Sequence, residues 1–464
     1  MTLEMEPSAF LAALRSELGN ALVTEIGELE PLRRDRSGQV SEGVPLAVVN
    51  ATTIAHVQAA LRLANEHRVP VVPRGAGTGL TGASMAGAGE LVLSTAGMNR
   101  ILEINEEDQL AVVEPGVING DLNRALEAHG LWFAPDPASK DIASIGGNIA
   151  TNAGGLLCAK YGVTREAVLA LKVVLADGSL LEMGHRTVKG VTGLDITALV
   201  IGSEGTLGVI VEATLKLLPI TPGVPTTISA YFPSIMEAAA ASAAITAAKL
   251  RPSVMELMDA LCVQYVSSFL GLPQQAPGSA FLIVQTDGAL AASEAEQAMA
   301  IIQSVGGDAT MTTDFAEGEE LLRIRRAINP AIEAQGRALI EDVAVPRSAL
   351  PAMFAAIDEI SHKYGMPIPT LAHAGDGNLH PNFIYEGDEV PEVIWDAASD
   401  LFTAAVKLGG TLTGEHGVGT LKKRWLADEL GDRQVLLQRQ IKAVFDPNGI
   451  LNPGKIFADE SHVH

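Results

Sequence analysis

The chain has 464 residues, of which 47% are hydrophobic, 19% are charged and 46 are glycine. That is enough for about three domains, or two large ones, with buried cores, and it excludes a disordered or fibrous chain. The net charge of −23, from 32 Lys and Arg against 55 Asp and Glu with no basic run, argues against nucleic acid as a partner and against direct adsorption to an anionic membrane.

The two cysteines, Cys158 and Cys262, are too few for an iron–sulfur cluster or an all-cysteine zinc site. The segment MTLEMEPSAFLAALRSELG has early acids and no apolar stretch behind basic residues, so it reads as an amphipathic helix and not as a signal peptide. The longest apolar run, residues 238–248, is Ala-rich and too short to span a bilayer. A cytoplasmic protein is expected, peripheral at the inner face of the membrane at most.

After a helical lead-in, residues 45 to 219 alternate short strands with helices. VPVVPRG, LVLST, LAVVEPG, ALKVVLADGSLLEMG and LGVIVEATLKLLP read as strands. TTIAHVQAALRLANEHR and NGDLNRALEAHG read as helices, with Asn50 or Thr52 as the cap of the first and Asn119 or Asp121 as that of the second. PITPGVPT then marks a boundary. Beyond it, strand-plus-helix units (TTISAYF with IMEAAAASAAITAAKL, SAFLIVQTDG with SEAEQAMAIIQSVGG) indicate an antiparallel sheet covered on one side by helices. The expected division is 1–222, 223–410 and a returning C-terminal segment 411–464, in an α+β chain whose tail ADESHVH is frayed.

PRGAGTGLTGAS follows a strand, and its glycines can aim backbone N–H groups at a diphosphate. Gly77, Gly79 and Gly82 also satisfy G-x-G-x-x-G, so a nicotinamide-linked Rossmann dehydrogenase is the rival reading. The continuation SMAGAGELVLST is strand-like and opens no helix, which counts against that rival. PDPASKDIASIGGNIATNAGG and VIGSEGTLGVI add two more small-residue loops. Together the loops suggest one extended ligand.

Of ten histidines, His373 and His380 flank Asp376-Gly377, a hairpin signal. A two-residue turn on that pair places the two histidines opposite each other, with Cβ atoms about 4.5–5.5 Å apart. Two imidazoles so placed suit either one metal ion or a stacked core pair. Asn382 falls on the same face. Glu415 and His416 lie between glycines in GEHG, where packing has no use for charge. Two His and one Glu leave an open metal position, as a catalytic site requires.

The motifs PRGAGTGLTGAS, PDPASKDIASIGGNIATNAGG, GSEGTLGVI, HAGDGNLH, GEHGVG and DPNGILNPGK, in this order, resemble those of vanillyl-alcohol-oxidase-type flavoproteins. The resemblance is to the group of D-lactate dehydrogenase, D-2-hydroxyglutarate dehydrogenase and the glycolate oxidase D subunit, and it runs from about residue 45 to Lys455. It implies a two-domain PCMH-type FAD-binding fold with an antiparallel-sheet substrate (cap) domain. FAD would lie against Pro73, Arg74, Gly75, Ala76, Gly77, Thr78, Gly79 and Ser84. Pro135, Asp136, Ser144, Gly147, Asn148, Thr151 and Gly154 would line the flavin, with Gly205 and Ile210 on the adenine side and Asn452 as a further contact. Thr78 stands where covalent relatives have His, so non-covalent FAD is expected.

The same resemblance implies His373, His380 and Glu415 as ligands of Zn²⁺, with Mn²⁺ or Fe²⁺ also permitted by the donor set. His416 would be the base and Arg325 the clamp for the substrate carboxylate, with Leu322 replacing the family's tryptophan and Asn382 assisting. Arg323 and Arg326 read as helix-surface charges, and Lys422 and Lys423, just after GEHGVGTL, as helpers in carboxylate binding or, more commonly for such lysines, as surface charges. Ile340 stands where users of dicarboxylates carry Lys, which favours D-lactate or glycolate over D-2-hydroxyglutarate. Electrons would leave to an external acceptor: an electron-transferring flavoprotein, an iron–sulfur subunit, a quinone or a cytochrome. A homodimer is consistent with the relatives. A flavin-free metal hydrolase would leave the glycine loops unexplained, and a non-catalytic relative would have no need of Arg325, His416 and the ligand set together.

Overall fold

In the computed structural model, which describes residues 7–457, the chain forms two compact units. The first comprises Met1–Ala153, Val163–Ile220 and Glu415–His464, and the second comprises Gly154–Gly162 and Thr221–Gly414. No compositional break marks Gly154–Gly162 for the second unit. The tail ADESHVH, with His462 and His464, lies outside the described residues.

In the first unit, strands Ala47–Asn50, Leu91–Ser94 and Val71–Arg74 pair in parallel, with Leu22–Val23 antiparallel at the edge. Helix Ile54–His67 covers them, placing Val57, Ala60, Leu61 and Ala64 against Val49, Val71, Leu91 and Leu93. Full burial of one such leucine stabilises by about 1.5–3 kcal/mol. The helix is capped by Thr53, whose side chain accepts the His56 N–H, and by neither Asn50 nor Thr52. The cap must sit immediately before the first helical residue for its oxygen to reach the second or third helical N–H. A five-stranded antiparallel sheet follows, in the order Ile101–Asn105, Leu110–Val113, Val209–Lys216, Val168–Val174, Leu180–Gly184. Helix Asn119–Glu127 has Ile118 at its N-cap with no side-chain cap, so neither Asn119 nor Asp121 serves there.

The second unit is built on an eight-stranded sheet. Its main path runs Asp308–Thr312, Thr226–Phe232, Ala280–Thr286, Val254–Met258, Thr370–His373, Asn378–Tyr385, Arg337–Ile340, and Val343–Ala344 also pairs with Asn378–Tyr385. All its pairings are antiparallel. Every residue of Val254–Met258 is buried, and so is nearly every residue of Ala280–Thr286. Both faces of the central strands are therefore covered, which corrects the one-sided expectation. The physical cause is legible in the continuous apolar runs, since a half-solvated strand would alternate. On one face Val254, Met258, Phe281 and Ile283 pack with Val263, Leu322 and Ile328 from the helices.

Among the described residues no helix is long and apolar enough to cross a membrane.

Candidate active site

In the first unit the glycine loops converge. PRGAGTGLTGAS leaves strand Val71–Arg74 and reaches Leu91–Ser94 without an intervening helix, as the sequence indicated. A Cβ on Gly75 would lie 2.4 Å from Ser144 Oγ but 3.8 Å from the Gly147 backbone N, so glycine here leaves room for the Ser144 hydroxyl. Ser144 caps helix Ile145–Thr151 by accepting the Gly147 N–H, and Thr151 Oγ1 donates to Gly147 O. Asn119 Nδ2 donates to Pro135 O and to Asn148 Oδ1, at 2.9 and 3.2 Å. Asn119 thus positions the second loop, a role the sequence reading missed by assigning it to a helix cap.

Asn452 ties the first loop to the third, donating from Nδ2 to Ala83 O at 2.9 Å and to Glu204 O at 2.7 Å. The Arg74 guanidinium donates to Ser84 O and Arg34 O, closing its own loop, and burial lowers its pKa. Asp136 is buried, Gly205 takes a positive φ, and Ile210 packs into the core with Val113 and Leu171. Asn119 Oδ1 and Asn452 Oδ1 are buried with no hydrogen-bond partner among the described residues. Buried acceptors of this kind call for a polar ligand or water. A cradle held open by glycine, with such acceptors on it, fits a dinucleotide.

The GEHGVG loop also belongs to this unit. Gly417 has φ 90°, and a Cβ there would meet Glu204 Oε1 at 2.8 Å. Thr81 Oγ1 donates to His416 O at 3.4 Å. His416 Nε2 lies 4.0 Å from Glu415 Oε1, and both side chains are largely buried. Lys422 is also buried, at 1% exposure, which corrects the surface reading; Lys423 donates to Gly454 O.

In the second unit the histidine hairpin has a four-residue turn, 374–377, and not a two-residue one. His373 O accepts the Gly377 N–H at 2.9 Å, and Asp376 Oδ1 accepts the Asn378 N–H. His373 therefore faces Asn378, and His380 faces Leu371. The register differs by two from the expected one. An even shift keeps both histidines on one face as diagonal neighbours. Their ring centroids are 5.1 Å apart with the planes at 86°, and both are buried.

Carboxylates stand behind both rings. Glu256, in the cross-strand position to His373, accepts from its Nδ1 at 2.7 Å. Asp342 Oδ1 lies 3.8 Å from His380 Nδ1, and Asp342 Oδ2 accepts from Thr413 Oγ1, two residues before Glu415. A buried carboxylate that fixes the far nitrogen of an imidazole, as Glu256 does for His373, is the usual support of a metal-ligating histidine, and with His380 beside it this donor set fits a divalent cation. Arg325, in the last turn of helix Phe315–Arg326, donates from Nε to Glu256 Oε2 at 2.6 Å with its side chain 11% exposed. Burial raises the Glu256 pKa, but His373 and Arg325 outweigh it and hold the carboxyl below its ordinary value. Neither Glu256 nor Asp342 was singled out from the sequence. The signal was present: a lone Glu inside the apolar strand VMELM.

Arg323 and Arg326 pair with Glu320 and Glu319 at the surface, as expected. Asn382 is a correction. Fully buried, it donates from Nδ2 to Pro369 O and to His380 O, so no amide hydrogen remains for a substrate carboxylate. Its geometry instead ties the strand carrying His380 to the chain at Pro369. Ile340 pairs with Asn382 across the strands.

Two family models match: an FAD binding domain over residues 45–184, and the C-terminal domain of FAD linked oxidases over residues 221–456. The glycolate oxidase subunit GlcD of Bacillus subtilis (strain 168) is 41% identical over 431 residues, covering 90% of each chain. The D-lactate dehydrogenase of Archaeoglobus fulgidus is 37% identical over 412 residues, 88% of this chain and 90% of the relative. The D-2-hydroxyglutarate dehydrogenase of Stutzerimonas stutzeri (strain A1501) is 36% identical over 433 residues, 89% and 91% respectively. The solved structure of p-cresol methylhydroxylase with substrate bound aligns with a TM-score of 0.78 at 18% identity over 98% of both chains, a likeness of fold alone. With the motifs, the two-unit α+β fold and these relatives in agreement, the chain belongs to the FAD-linked D-2-hydroxy-acid dehydrogenase family of vanillyl-alcohol-oxidase-type flavoproteins and is an FAD-linked oxidoreductase.

Proposed function

We propose that this protein oxidises a small D-2-hydroxy acid, D-lactate or glycolate, to the 2-keto acid with the help of a divalent cation. The observation that carries the reading is the cluster in the second unit, where a guanidinium and an imidazole share one buried carboxylate beside a second imidazole. A cation for a substrate carboxylate next to a pair of metal-type histidines is what a 2-hydroxy acid needs.

FAD would be held without a covalent bond by the loop 73–79 with Ser84, by Pro135, Asp136, Ser144, Gly147, Asn148, Thr151 and Gly154, and by Gly205, Ile210 and Asn452. His373, His380 and Glu415 would hold Zn²⁺, or Mn²⁺ or Fe²⁺. When bound, the flavin supplies an acceptor for the hydride on C2, and the cation supplies an acid that lowers the pKa of the substrate hydroxyl. Arg325 binds the carboxylate with its fork; Glu256 takes the Nε edge, so the substrate would meet the Nη edge. His416 takes the hydroxyl proton, since an imidazole is a base suited to neutral pH. The substrate thus loses one proton and one hydride and becomes the keto acid. Reoxidation would pass electrons to an external acceptor such as an electron-transferring flavoprotein, an iron–sulfur subunit, a quinone or a cytochrome, because two cysteines build no relay of their own.

A second reading, D-2-hydroxyglutarate, is supported by the relative of that name. Ile340 weighs against it, since it offers no second cation for a distal carboxylate. The test is an anaerobic titration of the purified yellow protein with D-lactate, L-lactate, glycolate and D-2-hydroxyglutarate. Bleaching of the flavin by D-lactate or glycolate, with L-lactate inert, is expected. Bleaching by D-2-hydroxyglutarate alone would select the second reading, and bleaching by none would remove the substrate class.

A further inference from the structure

We propose that Glu256 is a positioning residue that couples the cation site to the substrate-carboxylate site, by holding His373 and Arg325 with its two oxygens. The inference rests on the roles proposed above for those two residues and goes beyond them to a residue that touches neither substrate nor cofactor.

The geometry is specific to a carboxylate. Glu256 lies in the middle of strand Val254–Met258, 1% exposed, among residues that are otherwise apolar. Oε1 accepts from His373 Nδ1 at 2.7 Å and Oε2 accepts from Arg325 Nε at 2.6 Å. Both partners present N–H donors, so the residue between them must offer two acceptors. A carboxylate does so, whereas a glutamine has one acceptor oxygen and would turn an NH₂ group toward the other donor. The two partners come from different directions: His373 from the neighbouring strand, in the cross-strand position, and Arg325 from the end of helix Phe315–Arg326.

Fixing Nδ1 sets the ring plane of His373 and presents Nε2 as the ligating nitrogen. Fixing Nε sets the plane of the Arg325 fork. A 2-hydroxy acid has its hydroxyl and its carboxylate on adjacent carbons, so cation and guanidinium must keep a constant separation. One shared buried carboxylate, in a rigid central strand, sets that separation. A buried ion pair needed only for folding would have no reason to join these two donors.

The experiment compares FAD-loaded wild-type protein with Glu256→Gln and Glu256→Asp. Zn²⁺ and Mn²⁺ affinities are measured by chelator competition. Binding of oxamate, a carboxylate that cannot be oxidised, is measured by calorimetry with and without the cation. Melting temperature and flavin content report folding. Expected for Glu256→Gln is a loss of cation affinity of about 10- to 100-fold. Oxamate binding should weaken by about ten-fold in the cation-free protein too, because the Arg325 clamp is lost as well. Glu256→Asp, which keeps two acceptors on a shorter stem, should fall between, and it serves as the reading if Glu256→Gln does not fold. Both affinities within about two-fold of wild type in a folded variant would overturn the proposal, and so would a change confined to one of them. Wild-type protein that takes up neither ion would remove the metal reading itself, and the coupling with it.

Discussion

Glu204 accepts the backbone N–H of Val418 at 2.7 Å, and its second oxygen accepts that of Gly419 at 2.8 Å. The loop that carries His416 is therefore moored by a carboxylate from the GSEGTLG motif. Burial pushes the Glu204 carboxyl up from 4.5 to about 7, against the lowering effect of the two amides and of Lys422. The folded chain thus keeps a proton between these two values that the unfolded chain releases. The sign follows: this group favours the folded state most at the acid end, and its contribution declines as pH rises to about 7. Glu204→Gln cannot titrate, so its melting temperature should vary less with pH across this window than that of wild type. Thermal melts in a pH series measure this, and parallel curves for the two proteins would contradict it.

His416 is the proposed base. Its replacement by alanine should lower the rate of flavin reduction by about 10²- to 10⁴-fold. Flavin content should not change, because the substitution leaves in place the bonds of Glu204 to the Val418 and Gly419 N–H groups and that of Thr81 to the His416 carbonyl. Stopped-flow reduction by D-lactate gives the rate, and a loss smaller than about ten-fold would assign the proton to another group.

A side chain at Gly75 would collide with the Ser144 hydroxyl, 2.4 Å from its Cβ. Gly75→Ala should force the loops apart and destabilise the first unit by about 1–3 kcal/mol, with loss of bound FAD on gel filtration. The added Cβ would lie 2.4 Å from Ser144 Oγ but 3.7 Å from Ser144 Cβ. Removing the hydroxyl should therefore relieve the strain, and Gly75→Ala with Ser144→Ala should retain more flavin than Gly75→Ala alone. Equal flavin loss in both would place the fault elsewhere.

Ile340 offers no charge to a distal carboxylate. Ile340→Lys should raise kcat/KM for D-2-hydroxyglutarate relative to that for D-lactate by about ten-fold or more, the worth of a charge-assisted hydrogen bond. Steady-state rates with an artificial acceptor measure the ratio; no change would show that this position does not read the substrate.

Much of the site was legible because its signals are local. Glycine spacing after a strand, a strand-like continuation where a Rossmann loop would open a helix, and two histidines around Asp376-Gly377 are properties of short segments. They pointed to the glycine loops, the histidine pair and the family. The turn length was not local in the same sense: Asp-Gly suits a two-residue turn, yet the hairpin closes over 374–377, and the even shift of register preserved the face while changing the partners.

Other relationships were decided only by the tertiary structure. Glu256 meets His373 because strand Val254–Met258 pairs with Thr370–His373 across a long intervening stretch, and meets Arg325 because a helix returns onto the same face of the sheet. Asn119 leaves the helix-cap role for Pro135 and Asn148, and Asn382 spends its amide on Pro369 and His380. Residue type and spacing determine which segments form strands, turns and ligand-binding loops. Which distant donor a buried carboxylate or amide satisfies depends on strand order and helix return, and those follow from packing of the whole core, where no polar group is cheaply left without a partner.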